Sequence, residues 1–144
     1  MTAARITLAG RIGEVARAQA FVEEFCRENG LGEDLARRID IILEELMVNA
    51  IRHGGLEGEA EAIEVALGLE GPVLRLVYED RGRPFDPLAV HPPDFDAPPD
   101  RWPIGRLGVQ LVRRLLDDAR YERTGDHNRL TLTKTLARAR EPQG

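Results

Sequence analysis

Three polar side chains that could carry chemistry recur at four-residue steps in one helical segment: Glu45, Asn49 and His53. At about 100° per residue they lie along one line of a helix, beside an apolar stripe that includes Leu43 and Leu46. A carboxylate one turn from an amide oxygen could accept a proton next to a ligand for a hard cation such as Mg²⁺. The same row would suit a core boundary satisfied by hydrogen bonds. The helix alone leaves both interpretations open.

A second polar motif follows a predicted strand, where the segment LRLVYED runs into Asp80, Arg81 and Gly82. A carboxylate buried at a strand end can accept a hydrogen bond from an exocyclic amine, such as that of adenine. Gly82 has no Cβ and would let a flat ring approach the backbone closely. Because Asp-x-Gly is also common in ordinary turns, the motif gains weight only beside the helix.

Gly105 and Gly108 open a third helical pattern. The backbone N–H groups and dipole at a helix start favour an anion such as phosphate. The preceding residues 81–104 hold seven of the nine prolines in the chain, which excludes a helix interior or a central strand. We interpret this stretch as a lid rather than a linker, because the residues after it are too few for an independent core.

Hydrophobic periodicity predicts the elements that must position these residues. Spacings of three and four residues indicate helices over 11–29 and about 33–53, with Cys26 as a small core residue. Alternation indicates strands at 4–9, 63–69, 74–79, 119–124 and 129–136. The predicted fold class is α/β (α+β), a two-layer sandwich in which helices cover one face of a mixed, mainly antiparallel sheet.

Composition narrows the function classes. With 144 residues, 42% of them hydrophobic and 31% charged, the chain suits one compact domain with a real core. The net charge of -5, without a separate basic block, argues against direct nucleic-acid binding. No signal peptide and no apolar run long enough to cross a bilayer are visible. We therefore expect a cytoplasmic protein with no membrane partner.

Taken in order, these segments resemble the GHKL (Bergerat-fold) ATPases, and in detail their anti-sigma factor and serine-protein kinase branch. The segment EELMVNAIRHG resembles the first box of the family, EDRGRPFDP the second and GRLGVQLVRRL the third, while NRLTLTKTL resembles the closing strand. The resemblance implies one histidine kinase-like ATPase domain over residues 1–137, with a proline-rich ATP lid at 81–104 and a flexible tail at 138–144.

The resemblance implies ATP and Mg²⁺ as cofactors. Glu45 matches the general base that would take the proton from a serine of a protein substrate, and Asn49 matches the ligand of Mg²⁺. Asp80 matches the aspartate that hydrogen-bonds adenine. The other residues expected to bind the nucleotide are His53, Gly82, Phe85, Gly105, Arg106, Leu107 and Gly108.

The chain departs from the family pattern at three places. Arg106 stands where many relatives have glycine, and it could either face the γ-phosphate or be a solvated lid residue. Pro84 replaces the second glycine of the second box and would stiffen the first turn of the lid. Relatives place a threonine near the start of the final strand, where this chain has Asn128 and Arg129, so no nucleotide contact is assigned to them.

The function that the resemblance implies is an anti-sigma regulatory factor with ATP-dependent protein serine/threonine kinase activity. Its partners would be a sigma factor and a STAS-domain anti-anti-sigma protein, and a homodimer is expected because relatives often dimerise. An alternative is a non-catalytic ATP-binding module that sequesters a regulator by partner switching. A third interpretation, a domain that cooperates with a separate histidine kinase, is disfavoured because no histidine-bearing dimerisation helix precedes it.

Overall fold

The computed structural model describes residues 2–89 and 117–136. In chain order they form β1 (Thr2–Leu8), α1 (Glu14–Glu28), α2 (Glu33–His53), β2 (Ile63–Glu70), β3 (Val73–Asp80), a short 3-10 helix (Pro87–Ala89), β4 (Asp118–Thr124) and β5 (His127–Thr135). Both helices and all five strands predicted over these residues are present, with ends that shift by no more than three residues. The predicted third helix, most of the lid and the tail lie outside the described residues.

The strands form one five-stranded sheet in the order β1-β2-β3-β5-β4. Every neighbouring pair among them is antiparallel, so the described strands contain no parallel part of the predicted mixed sheet. Side chains alternate between the two faces, and the face that includes Leu67, Leu76 and Leu132 is buried. The predicted two-layer α/β architecture is confirmed.

Helix α2 supplies much of the core and carries the predicted polar row of Glu45, Asn49 and His53. Its buried positions recur at helical spacing, and they belong to the same hydrophobic cluster as the buried face of the sheet. Acidic residues in its first turn and basic residues in its last turn complement the helix dipole. In the part of the chain that the structure describes, no helix is both long enough and apolar enough to cross a membrane.

An acidic pair, Glu23 on α1 and Asp40 on α2, lies between the two helices, and of the two only Asp40 is buried. Asp40 is only 8% exposed, and its Oδ1 has no hydrogen-bond partner within the described residues. Burial, together with a hydrogen bond and charge repulsion from Glu23, raises the pKa of Asp40 to about 8. Burial also raises the pKa of the Cys26 thiol to about 11, with smaller contributions from Asp40 and Glu23. Cys26 is therefore a protonated core thiol, as the sequence predicts.

We predict that Asp40→Asn makes the free energy of unfolding less dependent on pH. The folded-state pKa of Asp40 lies above the ordinary value of 3.8, so stability is lost as the pH rises from about 4 through about 8. An asparagine amide would donate to Glu23 without a shared proton. The free energy of unfolding of the variant should therefore exceed that of the wild type by about 1–3 kcal/mol at alkaline pH. Urea unfolding measures this difference.

Asp34→Asn is the matched control for this prediction. Asp34 lies on the same helix with its side chain 86% exposed, in a long ion pair with Arg37. An exposed pair of this kind contributes little to stability, so the control should keep the pH dependence of the wild type. An Asp40→Asn variant whose stability falls with pH as steeply as that of the wild type would contradict the account of the acidic pair.

Candidate functional site

The end of β3 is tied to the second half of α2. The Tyr78 hydroxyl donates a hydrogen bond to the Leu46 carbonyl oxygen at 3.3 Å. In the turn after β3, the backbone N–H of Arg83 donates to the carbonyl oxygen of Gly54, just past the helix end, at 3.1 Å. Because of these bonds, the two polar motifs singled out in the sequence lie in neighbouring parts of the fold.

The Asp80 carboxylate is buried and held by two hydrogen bonds on one oxygen. Asp80 is 6% exposed, and its Oδ1 accepts from the Gly82 backbone N–H at 2.9 Å and from the Asn128 Nδ2 at 2.9 Å. The first of these bonds closes an Asx-type turn, which shapes the backbone beside the carboxylate. Neither of these bonds uses Oδ2. Burial, followed by the charge of Asp80 and a hydrogen bond to it, raises the pKa of Tyr78, so the tyrosine hydroxyl also lies beside this carboxylate.

Gly82 has almost no room for a side chain. A Cβ at this position would lie 3.1 Å from Asp80 Oδ1 and 3.3 Å from the Gly54 carbonyl oxygen. The absence of a Cβ is therefore what lets the turn pack closely on both the carboxylate and the end of α2. The sequence analysis assigned Gly82 to ligand approach, and the structure adds a packing requirement inside the protein itself.

Asn128 is a member of the site that the sequence analysis missed. It opens β5 directly opposite Asp80 and is 7% exposed. Besides its bond to Asp80, its Nδ2 donates to the Arg83 carbonyl oxygen at 2.8 Å and, more weakly, to that of Gly82 at 3.4 Å. One amide thus holds both the carboxylate and the turn that follows it.

The acceptor side of the Asn128 amide is also engaged. Its Oδ1 accepts from the Phe85 backbone N–H at 3.2 Å and from the Tyr121 hydroxyl at 2.6 Å. Two donors on the oxygen and carbonyl acceptors at the nitrogen define the orientation of the amide. A signal for this residue was available in the sequence, because alternation with Leu130 and Leu132 places Asn128 on the buried face of β5.

Asp80 and Asn128 lie side by side across the sheet, and Arg123 on the edge strand β4 extends this cross-strand row. Arg123 on β4 pairs with Asn128 in the sheet register and donates from Nη1 to the Gly82 carbonyl oxygen at 2.7 Å. Arg123 is exposed, unlike its two partners in the row. The turn at Gly82 is therefore held from α2, from β5 and from β4.

Helix α2 presents its predicted polar row with exposure that increases towards the helix end. Glu45 and Asn49 are half-buried, and His53 is exposed. Burial, followed by the negative charge of Glu44, raises the pKa of Glu45 above the ordinary value of 4.5. A carboxylate with a raised pKa is a more effective proton acceptor near neutral pH. His53 is linked to the turn through its backbone carbonyl, which accepts from Arg83 Nη1 at 3.4 Å.

The remaining predicted site residues divide into two groups. Phe85 is 48% exposed, and its backbone is held by Asn128, so its ring lies at the surface of the turn. The predicted ligands at the start of the third helix lie outside the described residues and stay predictions: Gly105, Arg106, Leu107 and Gly108.

A divalent cation at this site would depend on the bound phosphates. Within residues 2–89 and 117–136, no group of three or more His, Cys, Asp or Glu residues could hold a metal ion. Asn49 offers a half-buried neutral oxygen, a ligand type that Mg²⁺ accepts when phosphates supply most of the charge. The residues present therefore fit a Mg²⁺ that arrives with a nucleotide.

The chain resembles known proteins in both sequence and structure. The model of the histidine kinase-like ATPase domain family matches residues 8–134. The fold is similar to the RsbU and RsbW domains of Rv1364c from Mycobacterium tuberculosis, with 23% identity and a TM-score of 0.69 over 94% of this chain and 32% of that chain. No curated protein matches the chain.

A second solved structure shares the fold. It is the histidine kinase domain of a blue-light activated histidine kinase from Erythrobacter litoralis EL346, with 20% identity and a TM-score of 0.52. The match covers 87% of this chain and 60% of that one, so the chain spans only part of the length of both structures. At such identities the likeness shows a common fold.

We predict that Gly82→Ala weakens ATP binding about tenfold, because the new methyl group displaces either the Asp80 carboxylate or the end of α2. Calorimetric titration with ATP measures the effect. Gly13→Ala is the control, since a Cβ at Gly13 meets nothing within 4 Å. Equal ATP affinities for Gly82→Ala and the wild type would contradict the close packing described for this turn.

Proposed function

The chain belongs to the histidine kinase-like ATPase domain family, and from this premise we propose that it is an ATP-dependent serine-protein kinase of the anti-sigma type. It binds Mg²⁺-ATP, transfers the γ-phosphate to a serine of a STAS-type anti-anti-sigma protein, and otherwise sequesters a sigma factor in the cytoplasm. The observation that carries the proposal is Glu45, a half-buried carboxylate of raised pKa one helical turn from Asn49.

The base of ATP is bound at the end of the sheet. Asp80 Oδ2 accepts a hydrogen bond from the exocyclic amine of adenine, while Oδ1 stays bound to Gly82 and Asn128. Gly82 keeps the backbone beside the carboxylate free of a side chain. Asn49 would hold the Mg²⁺ that accompanies the phosphates, and the chemistry this cation would supply is neutralisation of part of their charge.

Glu45 acts on the serine of the substrate protein. Its carboxylate accepts the hydroxyl proton as the serine oxygen forms a bond to the γ-phosphorus. The bond between that phosphorus and the β,γ-bridging oxygen breaks, and its electron pair leaves with ADP. Burial and the charge of Glu44 raise the pKa of Glu45, which strengthens its carboxylate as a proton acceptor.

Two observations support a regulatory partner rather than a small-molecule substrate. The three boxes of the sequence resemble the anti-sigma and serine-protein kinase branch. The similar structure from Mycobacterium tuberculosis contains an RsbU and an RsbW domain. The structural match to it covers 94% of the chain described here.

We predict that Glu45→Gln strongly slows phosphoryl transfer and leaves ATP binding intact. Loss of a general base lowers such a rate by about a hundredfold or more. The measurement is incorporation of labelled γ-phosphate into a purified STAS-domain protein, with ATP affinity followed by calorimetry. Because the pKa of Glu45 is raised, the wild-type rate should rise with pH above the range of an ordinary glutamate and then level off.

Glu44→Gln is the matched control, because Glu44 is the exposed neighbour of Glu45 on the same helix. It should retain transfer, with the rise of rate shifted to lower pH as one negative charge is removed. If the wild type binds ATP and labels no STAS partner, the kinase proposal is wrong. The protein would then be the non-catalytic partner-switching module.

A further inference from the structure

We infer that Asn128 is a positioning residue for base selection, which holds Asp80 by Oδ1 so that Oδ2 accepts an adenine amine and disfavours a 6-oxo purine. The inference rests on the nucleotide-binding part of the proposed function and does not require phosphoryl transfer. Asn128 is not among the residues to which the family resemblance assigned a nucleotide contact.

The geometry of the carboxylate is the first reason. Rotation of an aspartate side chain about its terminal torsion is soft, so a free carboxylate would present either oxygen to a ligand. Here the Gly82 N–H and the Asn128 amide both donate to Oδ1, each at 2.9 Å. One donor comes from the same turn and the other from the neighbouring strand, so together they define the plane of the carboxylate and the direction of Oδ2.

The chemistry of asparagine at this position is the second reason. Its Nδ2 carries two hydrogens, and it donates to Asp80 Oδ1 at 2.9 Å and to the Arg83 carbonyl at 2.8 Å. A threonine at this position would have a single hydroxyl hydrogen and could make only one of these bonds. Asn128 therefore couples the carboxylate to the following turn in a way that threonine could not.

The surroundings hold Asn128 itself in place. Its Oδ1 accepts from the Tyr121 hydroxyl at 2.6 Å and from the Phe85 N–H at 3.2 Å, so the nitrogen is the atom that faces Asp80. The residue is 7% exposed, which removes competing water.

A positioned carboxylate discriminates between purines because it only accepts hydrogen bonds. The 6-amino group of adenine donates to it, whereas the 6-oxo group of inosine or guanine presents a second acceptor. A buried polar group left without its partner is costly, so such a site rejects the analogue that lacks the donor. Loss of the positioning residue should reduce this discrimination without removing phosphate binding.

The test compares ATP with inosine triphosphate, which differs at the 6-position, by calorimetry on the full chain. The wild type should bind ATP more tightly. Asn128→Leu keeps the volume of the side chain and removes its donors, so it should weaken ATP binding about tenfold and change inosine triphosphate binding less than about twofold. In that background, Asp80→Asn should have little further effect on the preference, because the two residues act as a unit.

Two more variants separate positioning from general stability. Tyr121→Phe removes only the hydroxyl that holds the Asn128 oxygen, and it should reduce the ATP preference about threefold in a folded protein. Leu132→Val, a core change on the same strand, should lower stability and leave the preference unchanged.

Equal weakening of both nucleotides, or an unchanged preference in both Asn128→Leu and Tyr121→Phe, would overturn the inference. So would a wild type without a preference for ATP. A wild type that prefers ATP and never transfers phosphate would contradict only the kinase proposal and would leave the role of Asn128 intact.

Discussion

The pairing of β3 with β5 in the register that sets Asp80 opposite Asn128 is the constraint on which the site depends. A carboxylate that is 6% exposed must be hydrogen-bonded, since an unsatisfied buried charge is costly. The partner strand and the following turn supply those bonds, and the turn is anchored in its own right to the end of α2 at Gly54. A shift of β5 by one residue would turn Asn128 to the opposite face and leave the carboxylate without its partner.

The site combines a rigid part with a less constrained one. At the sheet end, Asp80 and Asn128 are buried and engaged in several hydrogen bonds, a rigidity that suits the proposed recognition of a flat base. On α2, Glu45 and Asn49 are only half-buried. The bond from Tyr78 to Leu46 joins the two parts, so that the end of β3 and the second half of α2 are held in one frame.

The sequence predicted the elements better than it predicted the contacts between them. The bounds of α2 followed from the three- and four-residue spacing of its apolar residues, and β2 and β3 from the alternation of theirs. The wholly antiparallel pairing of the described strands and the role of Asn128 depend on which strands become neighbours. In the same way, the burial of Asp40 depends on how α1 packs against α2, and local periodicity carries no such information.

The most direct test of the central claim is a crystal structure of the protein with Mg²⁺ and a non-hydrolysable ATP analogue. We expect the adenine amine within hydrogen-bond distance of Asp80 Oδ2, with Oδ1 still bound to Asn128, and the cation beside the Asn49 amide oxygen. A nucleotide bound elsewhere on the chain, or an adenine whose amine faces away from Asp80, would contradict it.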